Sequence, residues 1–155
     1  MTATILAIGK MKFLPYRNAA DEYMARLRHY LTIREIEVKS ATSPKLTELQ
    51  IRETESRQLM ANITNATHLF VLDERGKMFD SVSFATKIGQ IIDKSQDFAF
   101  AIGGASGHHD CIRQRANTLL AFSPMTFPHE LARVMIYEQL YRAMTILKNE
   151  PYHKV

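Results

Sequence analysis

Phe98-Ala99-Phe100-Ala101-Ile102-Gly103-Gly104-Ala105-Ser106-Gly107 decides the fold. Five apolar residues in a row, opened by Asp97 and closed by a glycine pair, are too few for a helix and too continuous for a half-exposed strand. Such a run fits a strand buried on both faces, as strands of parallel sheets are. Two earlier runs have the same form. Thr4-Ile5-Leu6-Ala7-Ile8-Gly9 is a buried strand, and so is Thr67-His68-Leu69-Phe70-Val71-Leu72-Asp73, which leads into a turn at Glu74-Arg75-Gly76-Lys77. Residues 118–122 form a last strand. Between these runs, residues 15–31 and 45–66 have helical spacing, and Asn65 suits the stop of the second helix. Asp80 or Ser81 caps a helix running to about residue 94, a short helix covers 110–117, and the last helix covers 129–148. Ile33-Arg34-Glu35-Ile36-Glu37-Val38-Lys39 alternates apolar and charged residues and reads as a half-exposed, edge-like strand. The order β-α-β-α-β-α-β-α-β-α, with short connections, predicts one α/β domain. Its sheet is mostly parallel with helices on both faces, residues 33–39 being the exception.

The composition narrows the function classes. A chain of 155 residues with 46% hydrophobic and 23% charged residues can bury a core. No run approaches the roughly 18 apolar residues of a membrane span. The first residues read as a strand and not as a leader peptide, so a cytoplasmic location is expected. A single cysteine, Cys111, excludes a disulfide framework and is expected to be half-buried on a helix. A net charge of +4 permits nucleic-acid binding without proving it.

Ligands of open α/β sheets collect outside the carboxyl ends of the strands. Three such ends look alike here: Leu72-Asp73, Ile102-Gly103-Gly104, and Phe122-Ser123-Pro124-Met125. Side by side, these loops would form one pocket. The glycines do not match the dinucleotide fingerprint or a Walker loop. They serve either close approach to a ligand or the turn itself. Ser123-Pro124-Met125-Thr126-Phe127-Pro128 is stiffened by two prolines, with Thr126 or Phe127 near the cap of the last helix and Pro128 in its first turn. Lys10, Lys12 and Arg17, just after the first strand, are either a solvated loop or a phosphate-facing patch. The last helix is apolar on nearly every side, and a symmetric dimer is the simplest way to bury its second face. Within it, Glu138 and Arg142 form an i,i+4 pair, while Arg133 sits among apolar residues, where a guanidinium needs a partner and suits RNA phosphate.

Taken together, Ile102-Gly103-Gly104, Thr126-Phe127-Pro128-His129, Arg133-Val134, Glu138-Gln139-Leu140-Tyr141-Arg142-Ala143 and the ending Pro151-Tyr152-His153 resemble the ribosomal large-subunit pseudouridine N3-methyltransferase family, of the SPOUT class. The resemblance covers the whole chain. It implies a deep C-terminal trefoil knot, S-adenosylmethionine as methyl donor without a metal, and a homodimer. The implied reaction is methylation of N3 of a pseudouridine in a 23S rRNA stem-loop on the assembled ribosome. It places the cofactor against Leu72, Asp73, Gly103, Gly104 and residues Ser123 to Pro128. It makes Tyr152, His153 and Arg142 catalytic, with the tail reaching the partner's pocket, and Lys154 a phosphate contact where many members have Arg. His153 and His129 are the side chains suited to remove the N3 proton. The loop Ala105-Ser106-Gly107 departs from the Pro-Glu-Gly common in the family. Two other readings stay open: a SPOUT enzyme acting on another RNA such as tRNA, and a non-catalytic RNA-binding assembly factor.

Overall fold

The alternation of phenylalanine and alanine in residues 98–102 sorts the two faces of the sheet. The computed structural model describes residues 1–154; Val155, the last residue of the tail, lies outside them. Five strands, β1 (Thr2–Ile8), β2 (Thr32–Val38), β3 (His68–Met78), β4 (Phe98–Ile102) and β5 (Thr118–Ala121), form a parallel sheet in the order β2-β1-β4-β3-β5. Helices α1 (Leu14–Leu27), α2 (Glu48–Met60), α3 (Ser81–Asp93), α4 (Asp110–Arg115) and α5 (His129–Leu147) follow the strands in turn. Phe98, Phe100 and Ile102 join Ile5 and Phe70 beneath α1, α3 and α5. Ala99 and Ala101 face the other way, with Leu6, Leu69 and Val71, beneath Leu59 of α2 and Ile112 of α4. The rings of Phe70 and Phe100 stack with centroids 4.7 Å apart. Each fully buried phenylalanine contributes about 1.5–3 kcal/mol relative to exposure.

Local chemistry explains where several elements begin. Thr47 and Gln50 form a reciprocal capping box, so α2 starts at Glu48 and not at residue 45. The helix stops at Met60, short of Asn65. Asp80 caps α3, its carboxylate accepting from the Ser83 amide at 2.6 Å. Pro128 is itself the N-cap residue of α5 and lies outside the first turn. Cys111 is half-buried on α4, as expected.

Two expectations need correction. The residues read as an exception to the parallel sheet form β2, which pairs in parallel with β1 from Thr2–Thr32 to Ile8–Val38. Its alternation reflects an edge position, and its charged side chains have partners described below. The turn expected at residues 74–77 interrupts β3 without ending it. Leu72 pairs with Leu120, and after the intervening residues loop out, Lys77 pairs with Leu120 again. Gly76 lies where a Cβ would stand 2.7 Å from the backbone of Leu119 and Leu120. Backbone cannot rotate away as a side chain can, so Gly76→Ala is expected to cost about 1–3 kcal/mol of stability. A urea midpoint unchanged from the parent would rule this out.

Candidate active site

The three strand ends do converge. Leu72 and Asp73, Ile102 to Gly107, and Leu120, Phe122 and Met125 to His129 line one cleft of about 680 Å³. That volume suits a small-molecule site. Of the residues expected at the cofactor, Leu72, Asp73, Gly103, Gly104, Met125, Thr126, Phe127 and Pro128 are on its wall, and His129 joins them. Ser123 and Pro124 belong to the same loop but not to the wall. The Ser123 hydroxyl accepts from the Met125 amide at 3.0 Å and shapes the turn.

The glycine pair lines the cleft and packs tightly, without needing positive φ. Positive φ among the glycines occurs at Gly9 and Gly107, and not at Gly103 or Gly104. A Cβ on Gly104 would lie 3.1 Å from both Ile8 and the Glu55 carboxylate, and one on Gly103 would lie 3.2 Å from His108 Nε2. Glu55 is buried, and its other oxygen accepts from the Ser40 hydroxyl at 2.9 Å and the Ala41 amide at 3.0 Å. One carboxylate thus fastens the β2–α2 loop beside the glycine turn.

The wall of the cleft is amphipathic. Leu72, Ile102, Leu120, Phe122 and Phe127 form an apolar part; Arg52, Asp73, Glu74, Arg75, His108 and Arg113 form a polar one. Arg52, His108 and Arg113 were not foreseen from the sequence. Asp73 accepts from Arg113 Nε at 2.5 Å and from Arg75 Nε at 3.2 Å and its amide at 3.0 Å. Burial would raise this carboxyl, but those hydrogen bonds and the Arg113 charge outweigh it and hold the group at about 2. The carboxylate is therefore committed, and Asp73 offers the cleft chiefly its backbone. Burial, aided by the Arg113 charge, pushes His108 down to about 4, so its ring is neutral near pH 7. An amphipathic cleft whose wall also holds the buried, unpartnered Nε atoms of Arg52 and His108 fits a nucleoside with a polar extension.

Asp73→Asn is expected to cost about 2 kcal/mol, the free energy that corresponds to the depressed pKa. A depressed carboxyl stabilises above its unfolded value of 3.8 and loses that contribution as pH falls through about 2. The loss in the variant should therefore be level from neutral pH down to about pH 5. A penalty that varied across that range would exclude this account.

A second cluster forms at the far end of α5. Glu138 Oε1 accepts from Arg142 Nε at 3.1 Å and Nη2 at 2.5 Å, and from the Tyr152 hydroxyl at 3.0 Å. The Arg142 guanidinium lies over the Tyr152 ring, 4.7 Å from its centroid. Arg142 Nη1 is 3.3 Å from His153 Nδ1. A guanidinium only donates, so Nδ1 is the acceptor in this contact and Nε2 is left facing outward from it. Burial, Tyr23 and the Glu138 carboxylate push the Tyr152 phenol up, which keeps it protonated. Arg142, Tyr152 and His153 are thus brought together, but not with the cleft of the same chain. Thirteen residues of helix, about 20 Å, separate His129 from Arg142.

The residues expected to meet RNA divide. Lys10, Lys12 and Lys154 are exposed. Arg133 requires correction: it is fully buried, pairs with Glu37, reaches Glu35 at 3.2 Å and donates to the Gly9 carbonyl at 3.1 Å. Arg17 is engaged by Glu35 at 2.6 Å and Asp21 at 2.7 Å. Both arginines serve the fold, because the charged edge of β2 supplies their partners.

A parallel α/β sheet with a small-ligand cleft at its carboxyl edge defines a nucleotide- or cofactor-binding class. A family model described as "Predicted SPOUT methyltransferase" matches residues 1–153. The chain belongs to the SPOUT methyltransferase family, and membership implies that family's C-terminal knot. It is 35% identical over 151 residues to the ribosomal RNA large subunit methyltransferase H of Caldicellulosiruptor saccharolyticus, covering 97% of this chain and 98% of that one. A crystal structure described as a methylase family protein from Neisseria gonorrhoeae superposes with a TM-score of 0.50 at 11% identity, over 99% of this chain and 85% of that one. At that identity the likeness concerns the fold alone. No helix among the described residues is long and apolar enough to cross a membrane.

Proposed function

We propose that this chain is a cytoplasmic, homodimeric methyltransferase that uses S-adenosylmethionine to methylate N3 of a pseudouridine in a 23S rRNA stem-loop on the assembled ribosome. The observation that carries the reading is the convergence of the three strand-end loops on one amphipathic cleft, in a chain whose curated relative is a large-subunit rRNA methyltransferase. The donor supplies an electrophilic methyl group, so the chain needs to align the nucleophile and remove its proton. Alignment alone is worth roughly 7–11 kcal/mol.

The residue roles follow from this placement. Leu72, Phe122 and Phe127 give the nucleoside an apolar seat, and the backbone at Asp73, Gly103 and residues 125–128 offers polar contacts. Ser123 and Pro124 hold that loop in shape. The Tyr152 ring stacks on the target base, Arg142, held by Glu138, keeps Tyr152 and His153 in place for catalysis, and Lys154 meets a flanking phosphate. With Nδ1 turned to Arg142, His153 has Nε2 left to hydrogen-bond the target base. His129, at the cleft, is then the better placed imidazole to take the N3 proton. Lys10 and Lys12 extend the phosphate-facing surface from the end of β1. Because the tail cluster is distant from its own cleft, the complete site needs the tail of a second copy.

The test is methyl transfer from labelled S-adenosylmethionine to assembled ribosomes, naked rRNA and bulk tRNA. Label confined to N3 of one 23S pseudouridine on ribosomes is expected. Label on tRNA would replace the substrate, and no transfer together with no cofactor binding would leave an assembly factor.

A further inference from the structure

We infer that Arg52 receives the carboxylate of the methyl donor's methionine moiety. The inference rests on the proposed use of S-adenosylmethionine in the cleft. Three arginines line that cleft, and two are already neutralised. Arg113 is held by Asp73 at 2.5 Å and Asp110 at 2.9 Å, and Arg75 by Asp73 at 3.2 Å. Arg52 has no ion pair among the described residues, and its Nε is buried without a hydrogen-bond partner. A buried guanidinium nitrogen left unpaired is costly, and a bound anion removes that cost.

Arg52 is also held in place. The capping box at Thr47 and Gln50 fixes the start of α2, and Glu55, three residues beyond Arg52, is fastened to Ser40 and Ala41 and abuts Gly104. The guanidinium therefore stands on the polar wall, on the α2 side of the glycine turn, facing a cleft whose other wall is apolar. An amphipathic donor has a carboxylate at the end opposite its base, which suits this division. RNA phosphates are the other anions at hand. They carry bulky neighbours and are better matched by exposed cations such as Lys10 and Lys12 than by a half-buried guanidinium set in the wall of the cleft.

Calorimetric binding of S-adenosylhomocysteine and of its decarboxylated analogue, S-adenosyl-3-thiopropylamine, tests this without turnover. Arg52→Met should weaken the first ligand about 10- to 100-fold and leave the second within about twofold, and Arg52→Lys should retain part of the affinity. Retained binding of the analogue also shows that the variant is folded. Equal loss for both ligands would overturn the assignment. So would unchanged binding of both, including the case in which only the ribosome KM and its salt dependence move, since that outcome assigns Arg52 to phosphate. If the parent protein binds neither ligand, the cofactor reading itself fails and this inference with it.

Discussion

Arg133→Met is expected to lower stability by about 3–5 kcal/mol at neutral pH, the usual consequence of removing one partner from a buried ion pair. Arg133 has no exposed surface, yet it serves Glu35, Glu37 and the Gly9 carbonyl at once. Methionine fills much of the volume but leaves two carboxylates close together, answered by Arg17, the Tyr137 hydroxyl and the Met11 amide. The pH dependence identifies the cause. Burial alone would raise Glu35, but Arg133, Tyr137 and Arg17 together hold it below its ordinary 4.5. In the parent, this depressed carboxyl stabilises above its unfolded value, and the contribution is lost as pH falls through the lower folded value. Without Arg133, burial dominates and the carboxyl prefers a proton. The gap between variant and parent should then narrow on acidification toward about pH 4. Arg133→Lys should fall between the two, because one ammonium cannot span both carboxylates and the carbonyl. Urea unfolding of the three proteins at neutral and acid pH decides it. A gap under about 1 kcal/mol, or one that does not vary with pH, would mean that the cluster is not an electrostatic keystone.

The same cluster shows where reading the sequence stops. An arginine among Tyr and Met residues of an apolar helix announces that it needs a partner, but not which one. The carboxylate lies 96 residues earlier, on a strand whose alternation looks like a solvated edge. Strand identity was legible because a buried parallel strand has a signature of its own in runs such as residues 98–102. Strand order was not, since β4 lies between β1 and β3 through tertiary packing alone. The second pairing of β3 with β5 has no local signal either: Lys77-Met78 lacks the apolar run of Leu69 to Leu72, and Gly76 reads as an ordinary turn residue. The cleft was foreseen from three similar strand ends, whereas its polar wall was not. Arg52 sits in a helix so charged that it reads as solvated, and His108 and Arg113 carry no spacing that marks them. The glycine pair was located correctly; positive φ is not its reason, and tight packing against Ile8, Glu55 and His108 favours residues without a side chain there.

Ending the chain after Pro151 should reduce kcat about 10³-fold or more, because alignment of the base and removal of its proton would both suffer. Binding of S-adenosylhomocysteine to the cleft of the shortened chain should weaken far less than turnover. A large loss alone would not say which copy the tail serves. Tyr152 and His153 are held against Glu138 and Arg142, the opposite end of α5 from the His129 that lines the cleft. A tail acting within its own chain would have to leave those contacts and cross about 20 Å. A tail delivered by a second copy can keep them. Complementation separates the two. A shortened chain is unfolded and refolded together with a full-length chain whose cleft is blocked by a substitution such as Thr126→Trp. Random pairing of equal amounts makes half the dimers mixed, and each mixed dimer holds one good cleft facing one good tail. Transfer to ribosomes should therefore return to about a quarter of the parent level, although neither chain is active alone. If the tail serves its own cleft, the mixture stays as inactive as its components, and the homodimer loses its part in the reaction.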